Sequence, residues 1–356
     1  MKFSFLLLSV ERSGGVRGTV EIANHMAKTG HSCRLVVVGN EEIPFSVNAN
    51  IKIIRVKPQK KRSGIYNLLS VYALAKATPK DSDVIAASYY LTSYSAIISR
   101  LIGSKAKLYY IIRAYEPNFF RQADGHNQWI SYFLAKMSYS LPLVKSTIST
   151  WLSDFLAEKG HLNIPIVNNG IDSVLFCPNK DKNPKNEKII MTIGNKRANR
   201  GYFDFCTSVN RLWKTRKDFK ILVIGSDKEL LKYLNPPSEL ITPKNDDELI
   251  NAFRSSLLFS SCSHEEGFGR TPLESMSCGT AVVCTNSGGI NDYAKNKENC
   301  LMIPARNIEQ ISGAINTLLD DDFLRDKLIQ NGRDTAINFD WNIICQKYET
   351  HFSEKL

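Results

Sequence analysis

The sequence predicts an α/β protein with two doubly wound, Rossmann-like domains that face a central cleft. Three observations lead to this prediction. Short apolar runs alternate with amphipathic helical stretches, as in chains that form parallel sheets. The length of 356 residues suits two domains better than one ordinary core. A polar segment rich in Pro, Asn and Lys, residues 177–187, separates two such series and is predicted to be a linker.

The first series defines an N-terminal domain, residues 1–176. Its predicted strands are Phe3–Val10, Cys33–Val38, Ile51–Val56, Val84–Ala87, Leu108–Ile112, Thr147–Ser149 and Ile166–Val167. Helical periodicity covers Val20–Lys28, Tyr66–Ala77, Ser93–Leu101, Trp129–Tyr139 and Leu152–Glu158. The first apolar run is too short to span a membrane, and a buried strand explains it better.

The second series defines a C-terminal domain, residues 188–339. Its predicted strands are Lys188–Ile193, Lys220–Ile224, Leu257–Ser260 and Ala281–Cys284. The closing stretch, residues 340–356, is expected to pack back on the first domain. Ligands of doubly wound domains bind at the carboxyl ends of the strands, so the cleft between the domains is the predicted binding site.

The cysteines and the paired aspartates give no sign of a metal site. The eight cysteines form no Cys-x-x-Cys pair and no zinc-ligand spacing, which is typical of reduced, buried thiols in a cytoplasmic protein. Asp81-Ser-Asp83 precedes a predicted strand, and Asp320-Asp-Asp322 lies in a helical stretch. Both are interpreted as caps or solvated faces, and no metal cofactor is expected.

The net charge of +11 is confined to the first half of the chain. Residues 1–180 contain 22 Lys and Arg against 11 Asp and Glu, whereas residues 181–356 contain 24 against 24. The densest basic run is Lys57-Pro-Gln-Lys60-Lys61-Arg62. A basic half suits anionic lipid headgroups, a phosphate-linked acceptor or nucleic acid, or is simply a solvated face. Because no groove-reading motif or stacking platform is present, nucleic acid is not expected as a partner.

A glycine-rich turn follows the first predicted strand. Ser13-Gly14-Gly15-Val16 precedes a helix that is predicted to begin near Thr19. Glycines at such a turn let the backbone approach an anion at the helix N-terminus. The pattern is not the dinucleotide fingerprint, so the turn either contacts phosphate or only reverses the chain.

The segment Glu266-Gly-Phe-Gly-Arg-Thr-Pro-Leu-Glu274 combines two carboxylates with two glycines. Glu266 is predicted to follow a strand, and a helix is predicted to begin with Thr271 as its N-cap and Pro272 in the first turn. The N–H groups of residues 269–271 and the Arg270 guanidinium suit a phosphate. Carboxylates suit vicinal hydroxyl pairs. The segment is therefore predicted to hold a sugar, a phosphate and a ribose together.

A second glycine turn, Asn286-Ser-Gly288-Gly289-Ile290, follows the predicted strand Ala281–Cys284. It is expected either to wall the cleft or only to turn the chain.

These motifs together resemble glycosyltransferase family 4, whose members are retaining enzymes of the GT-B fold. The resemblance rests on residues 266–304, with Glu-Gly-Phe-Gly, Glu274, Ser-Cys-Gly-Thr-Ala-Val-Val, Gly-Gly-Ile and Leu-Met-Ile-Pro. It extends to Gly14-Gly15-Val16, to Asn169-Gly170-Ile171-Asp172 and to Trp341, and so covers most of the chain.

The resemblance implies roles for individual residues. Glu266 would bond hydroxyls of the donor sugar, and Glu274 would hold the ribose hydroxyls. Phe268 and Gly269 would line the contact with sugar and phosphate. Gly15 would place its amide on the donor phosphate. The donor would be a nucleotide diphospho-sugar acting as co-substrate.

Two segments depart from the family pattern. The usual Gly-Arg-x-x-x-x-Lys-Gly is here Gly194-Asn195-Lys196-Arg197-Ala-Asn-Arg200-Gly201, so that Arg200 keeps a cation for the leaving diphosphate and Lys196 or Arg197 is a candidate for the other. Where many members carry His, the chain reads Arg113-Ala-Tyr115-Glu116-Pro117, followed by Asn-Phe-Phe. That stretch resembles the branch that includes bacterial rhamnosyltransferases. Arg113, Tyr115 and Glu116 are candidates for the acceptor side, or else for structural ion pairs.

The expected function is metal-independent, retaining transfer of a sugar to a glycan or lipid-linked acceptor in lipopolysaccharide or capsule synthesis. The basic first half suits a peripheral enzyme on the inner face of the plasma membrane. The alternative is a non-catalytic partner subunit that binds sugar nucleotides, which the altered residues Asn195 and Arg113 leave open.

Overall fold

The computed structural model describes residues 1–57, 65–120, 128–179 and 187–354. The chain forms two compact units, the first from Met1–Asn169 with Trp341–Leu356 and the second from Gly170–Asp340. Each unit contains one six-stranded sheet. The predicted fold class, two Rossmann-like units with parallel sheets, is confirmed. Most of the basic run at 57–62 and residues 180–186 of the predicted linker lie outside the described residues.

The sheet of the first unit is parallel throughout. Its strands are β1 (Lys2–Leu7), β2 (Ser32–Val38), β3 (Lys52–Val56), β4 (Val84–Ala87), β5 (Lys107–Ile112) and β6 (Val144–Thr147). Their order is β3-β2-β1-β4-β5-β6. Central strands such as β4 and β5 are apolar on both faces because helices cover both sides of the sheet.

The helices of the first unit connect these strands in turn. They are α1 (Gly14–Lys28), α2 (Ile65–Ala77), α3 (Tyr90–Leu101), α4 (Gln128–Ser138) and α5 (Thr150–Glu158). The start of α1 corrects a prediction, since it begins at Gly14 rather than near Thr19. Ser13 caps it, and its Oγ accepts a hydrogen bond from the N–H of Val16 at 3.3 Å.

The second unit repeats the architecture. Its strands are β7 (Ile189–Ile193), β8 (Lys220–Ile224), β9 (Ser238–Ile241), β10 (Leu258–Ser261), β11 (Ala281–Asn286) and β12 (Leu301–Pro304). Their order is β12-β11-β10-β7-β8-β9. The helices are α6 (Tyr202–Trp213), α7 (Asp246–Ser255), α8 (Arg270–Ser277), α9 (Ile308–Asp320) and α10 (Asp322–Ile337).

The closing helix α11 (Trp341–Glu354) belongs to the first unit and packs against α1. Phe352 is fully buried, and its ring lies 5.5 Å from that of Phe3 and 4.8 Å from that of Tyr109. Burial of three aromatic rings ties the end of the chain to its first strand.

Several strand predictions were wrong in detail. Residues 166–167 form only an isolated bridge to Thr147 instead of a strand. The predicted strand Thr147–Ser149 lies earlier, at Val144–Thr147, because Ser149 is the N-cap of α5. The four-residue strands β9 and β12 were not predicted.

The aspartates at 81–83 and 320–322 form ion pairs, accept hydrogen bonds or cap a helix. Asp81 accepts from Arg34 at 2.8 Å and from Lys2 at 3.0 Å, and Asp321 caps α10. Among the described residues, no cluster of three or more His, Cys, Asp or Glu side chains is arranged to hold a metal ion. No helix in the described ranges has the length and hydropathy needed to cross a bilayer.

Candidate active site

A cavity of about 170 Å³ lies at the carboxyl ends of β7 and β10. These two strands are neighbours in the second sheet, and the strand order reverses between them. Ligands of open α/β sheets bind at such a switch point. The lining includes Asn195, Arg200, Gly201, Ser263, Glu266, Gly269, Arg270, Thr271 and Pro272. The structure therefore gathers the Glu266 segment and the 194–201 loop, which the sequence singled out separately.

A salt bridge joins the two loops inside this cavity. Arg200 Nη1 donates to Glu266 Oε1 at 2.6 Å, and Ser263 Oγ donates to the same oxygen at 2.9 Å. Both side chains of the salt bridge are only partly buried. The Glu266 carboxylate is thus held by a cation and a hydroxyl, and it stays accessible to a ligand that enters the cavity.

The two loops approach each other closely along their backbones. The N–H of His264 donates to the carbonyl of Asn199 at 2.8 Å, and His264 Nε2 lies 2.6 Å from Asp204 Oδ2 at the start of α6. Gly201 adopts φ = 64°, and a Cβ there would overlap the carbonyl of Cys262. Only glycine fits this position, so Gly201 sets the distance between Arg200 and the Glu266 loop.

The second glycine turn braces the Glu266 loop from the other side. The N–H of Glu266 donates to the carbonyl of Ser287 at 2.7 Å, and the N–H of Gly289 donates to the carbonyl of Glu266 at 2.9 Å. A Cβ on Gly289 would lie 2.7 Å from Cα of Phe268 and would overlap the carbonyl group of Gly267. The turn at 286–290 therefore fixes the backbone that carries Glu266.

The helix after this loop begins two residues earlier than predicted. The N-cap of α8 is Gly269 in the left-handed region (φ = 75°), and Thr271 already lies inside the helix. A Cβ at Gly269 would lie 3.0 Å from Cδ1 of Ile290, so glycine is required there. The side chain of Phe268 is buried against Tyr293. Only the backbone of Phe268, and not its side chain, is therefore available to contact a ligand.

Glu274 is buried and paired with Arg270. Arg270 Nε donates to Glu274 Oε1 at 2.7 Å, one turn apart on α8. Arg270 lines the cavity, and its Nη1 is buried without a hydrogen-bond partner among the described residues. An unpaired guanidinium nitrogen at this place is suited to an anion. The predicted contact of Glu274 with a ribose remains a prediction.

Asn195, which replaces the usual arginine, and the two candidate cations Lys196 and Arg197 take different positions. Asn195 lines the cavity, and its Oδ1 accepts from the N–H of Arg197 at 2.9 Å, which shapes the loop. Lys196 Nζ lies 2.6 Å from Asp227 Oδ2, and this hydrogen bond raises the pKa of the ammonium group. Arg197 is exposed. Of the three cations in the loop, Arg200 is the one among the residues lining the cavity.

The first unit has its own cavity, of about 300 Å³, at the carboxyl ends of β1 and β4. The strand order of the first sheet reverses between these strands. Gly15 and Ser13 line the cavity together with the apolar Leu6, Leu7 and Tyr89. Gly15 lies in the first turn of α1, where backbone N–H groups are free of intrahelical partners.

Arg113 follows β5 and lies against α1. Its Nη1 donates to Asn169 Oδ1 at 3.3 Å, and its Cζ is 3.0 Å from where a Cβ on Gly18 would be. Glycine at position 18 thus makes room for the guanidinium, a role that the sequence analysis did not assign.

Glu116 is almost fully buried, with 2% of its surface exposed. Its Oε2 accepts from the N–H of Tyr90 at 2.8 Å and from the hydroxyl of Tyr110 at 3.4 Å. Burial raises the pKa of Glu116 to about 8. Tyr115 is buried too, and its ring stacks on that of Tyr139. In the structure, Glu116 supports the packing of this corner.

Sequence reasoning missed Ser263, His264 and Asp204. The only sequence feature that could have indicated Ser263 and His264 is their position just before Glu266 in the same segment. Asp204 lies 60 residues away along the chain, and nothing in its neighbourhood indicates that it reaches His264.

Comparison with known proteins indicates a glycosyltransferase. Residues 177–335 match the family "Glycosyl transferases group 1". A 174-residue segment is 29% identical to N,N'-diacetylbacillosaminyl-diphospho-undecaprenol alpha-1,3-N-acetylgalactosaminyltransferase of Campylobacter jejuni, covering 48% of this chain and 44% of that protein. N-acetylgalactosamine-N,N'-diacetylbacillosaminyl-diphospho-undecaprenol 4-alpha-N-acetylgalactosaminyltransferase of the same organism is 23% identical over 70% of each chain. The chain spans about half or less of the length of the first relatives it matches.

Solved structures share the whole architecture. Sucrose-phosphate synthase from Thermosynechococcus elongatus superposes with a TM-score of 0.83 at 15% identity, over 99% of both chains. Anabaena Alr3699/HepE in complex with UDP-glucose superposes with a TM-score of 0.75 at 16% identity, over 99% of this chain and 100% of that one. The predicted resemblance to glycosyltransferase family 4 is confirmed, and the fold is GT-B. The resemblance to the rhamnosyltransferase branch stays a prediction.

Proposed function

We propose that the chain is an active glycosyltransferase, since residues 177–335 match the group 1 glycosyltransferase family and the fold is GT-B. It transfers a sugar from a nucleotide diphospho-sugar to a glycan or lipid-linked acceptor in bacterial surface polysaccharide synthesis. The observation that carries this proposal is the Arg200–Glu266 salt bridge in the cavity at the switch point of the second sheet. It puts an anion-binding group and a hydroxyl-binding group side by side.

A nucleotide diphospho-sugar presents the two chemical groups that this cavity suits. Its diphosphate matches Arg200, the N–H groups at the start of α8 and the buried Nη1 of Arg270. Its sugar hydroxyls match the Glu266 carboxylate, which Ser263 keeps oriented. Donor binding would exchange part of the Arg200–Glu266 salt bridge for bonds to the diphosphate and to the sugar. The relative crystallised with UDP-glucose supports a donor of this class.

Sugar transfer then requires stabilisation of the leaving group. The bond between the anomeric carbon and the diphosphate breaks, and negative charge builds on the departing oxygen. Arg200 and the backbone N–H groups of α8 would stabilise that charge electrostatically, without a metal ion. The acceptor hydroxyl attacks from the same face, its proton passes to the departing diphosphate, and configuration is retained. No protein nucleophile takes part.

The test compares Arg200→Ala and Glu266→Gln with wild type. Each loses an interaction that grows in the transition state, so turnover should fall by about 10²-fold or more. Arg211→Ala is a matched control, since Arg211 pairs with Glu309 on the exposed surface of α6. The measurement is nucleotide release from a panel of sugar nucleotides that includes a rhamnosyl donor, with products identified by mass spectrometry. Wild-type turnover in both site variants would refute the assignment.

The same panel separates the proposal from the alternative of a non-catalytic partner subunit. Binding of a donor without nucleotide release, in the presence of glycan and lipid-linked acceptors, would favour the partner subunit. Both Campylobacter jejuni relatives are named for undecaprenol-linked substrates. By analogy we place the acceptor at a bilayer and the protein at the cytoplasmic face of the plasma membrane.

A further inference from the structure

Helix α4 exposes an apolar face that no described residue covers. Trp129 is 69% exposed and Phe133 is 54% exposed, and Ile130 and Met137 are exposed as well. At roughly 100° per residue these four side chains and Lys136 occupy an arc of roughly 120° on one side of the helix. The opposite side carries the buried Ala135 and Ser138. The largest apolar side chains of α4 therefore face solvent, and its small side chains face the protein.

Helix α2 repeats this arrangement. Leu68, Leu69 and Tyr72 are exposed, and Lys76 lies on the same side one turn after Tyr72. Helix α3 packs against both α2 and α4, so the three helices form one layer on the first sheet. Phe119, also exposed, belongs to the short 3-10 helix that packs on α4. Two parallel helices of one layer therefore present aromatic and aliphatic side chains together with lysines.

The charges of this layer favour one kind of partner. Helices α2, α3 and α4 contain Lys76, Arg100 and Lys136 and no acidic residue. Between residues 43 and 153 the acidic residues are Asp81, Asp83, Glu116 and Asp124. Asp81 and Asp83 contact the first residues of β1, at the far end of the strands, and Glu116 is buried. Asp124 lies outside the described residues. Among the residues that the structure describes, this apolar face is framed by cations and carries no acidic side chain, so it complements an anionic bilayer surface.

The position of this face agrees with that role. Each of α2 and α4 connects the carboxyl end of one parallel strand with the beginning of the next, so their N-terminal turns lie at the carboxyl edge of the first sheet. Leu68, Leu69, Trp129 and Ile130 lie in those turns. The cavity next to Gly15 opens at the same edge.

We propose that the exposed face of α4 and α2, centred on Trp129 and Phe133, docks on an anionic phospholipid bilayer. The aromatic rings enter the interface between headgroups and acyl chains, and Lys76 and Lys136 contact lipid phosphates. Docking does not depend on sugar transfer, so it is measured without a donor. A failure to bind lipid would leave the proposed glycosyltransferase activity untouched.

The experiment is flotation of the full chain with vesicles of phosphatidylcholine that contain about one-third phosphatidylglycerol. Wild type is expected to float with these vesicles at low salt, and much less with pure phosphatidylcholine or in about 1 M salt, where the Debye length is about 3 Å. The double variant Trp129→Ser with Phe133→Ser should bind at least about tenfold more weakly, because burial of two aromatic rings is lost. Brominated lipids should quench the fluorescence of the wild type more than that of the double variant.

The matched control is Phe323→Ser on α10, since Phe323 is 85% exposed and lies in the second unit. It should float like wild type, and unchanged thermal unfolding of all variants shows that folding is intact. Equal flotation of wild type and the double variant would overturn the proposal, as would absence of wild-type binding at low salt. If sedimentation instead shows a dimer that the double variant disrupts, with no lipid binding, a second copy covers this face and the proposal is wrong.

Discussion

Substitution of Gly289 by Ala tests whether the glycine turn at 286–290 holds the Glu266 loop. The added Cβ would overlap the carbonyl of Gly267 and lie 2.7 Å from Cα of Phe268. Both contacts are backbone, so no side chain can rotate away and the loops must separate. Overpacking costs about 1–3 kcal/mol. Two backbone hydrogen bonds, one at each end of Glu266, are also weakened, at about 0.5–1.5 kcal/mol each.

We therefore expect Gly289→Ala to lower the free energy of unfolding by about 2–6 kcal/mol in urea titrations followed by circular dichroism. Donor affinity measured by calorimetry should fall by at least about tenfold, since Glu266 moves away from Arg200. Gly313→Ala is the matched control: no atom lies within 4 Å of its Cβ position in α9. It should stabilise the chain by about 0.5–1 kcal/mol. Wild-type stability and affinity in Gly289→Ala would refute the bracing role of the turn.

Two further predictions concern the first unit. Gly18→Ala places a Cβ 3.0 Å from Cζ of Arg113, but the end of a flexible side chain can shift, so the unfolding free energy should change by less than about 1 kcal/mol. If Arg113 serves the acceptor, KM for the acceptor should rise in this variant while KM for the donor stays constant, and steady-state kinetics check this. Burial raises the pKa of Glu116 from 4.5 to about 8, so the unfolded chain loses this proton first as the pH rises. The free energy of unfolding should therefore fall between about pH 4.5 and 8 by a few kcal/mol, and the fall should be smaller in Glu116→Gln.

The sequence was sufficient for the fold class because hydrophobic patterning is a local property. The runs at 84–87 and 220–224 coincide with β4 and β8, since strands inside a parallel sheet are mostly buried and therefore mostly apolar. Strands β9 and β12 were missed because four residues with mixed burial carry too little pattern. The start of α1 was misplaced because two glycines favour a turn, whereas the cap bond from Ser13 and packing of the helix overcome that preference.

At the site, the local motifs and the family resemblance identified the chemical groups but not their pairing. Arg200 and Glu266 were each predicted to contact the donor, yet their salt bridge is a long-range contact across 66 positions of the chain. Lys196 was one of two candidates, with Arg197, to replace the usual arginine, but Asp227 lies close enough to bind its ammonium group. Spacing along the chain cannot reveal such a competitor, because Asp227 follows a different strand.

The Arg200–Glu266 salt bridge also lowers two free-energy costs of binding a diphosphate, charge repulsion and loss of side-chain freedom. A lone carboxylate at the cavity would repel the donor, and a lone guanidinium would be free to adopt many conformations. The salt bridge fixes the conformation of the Arg200 guanidinium. When Arg200 turns to the diphosphate, the Glu266 carboxylate keeps its hydrogen bond from Ser263. Removal of Ser263 alone should then weaken sugar recognition more than diphosphate recognition. The main role of the Arg200–Glu266 salt bridge is therefore to hold both side chains in position until the donor binds. It is then replaced by bonds from Arg200 to the diphosphate and from Glu266 to the sugar, and its contribution to the stability of the fold is secondary.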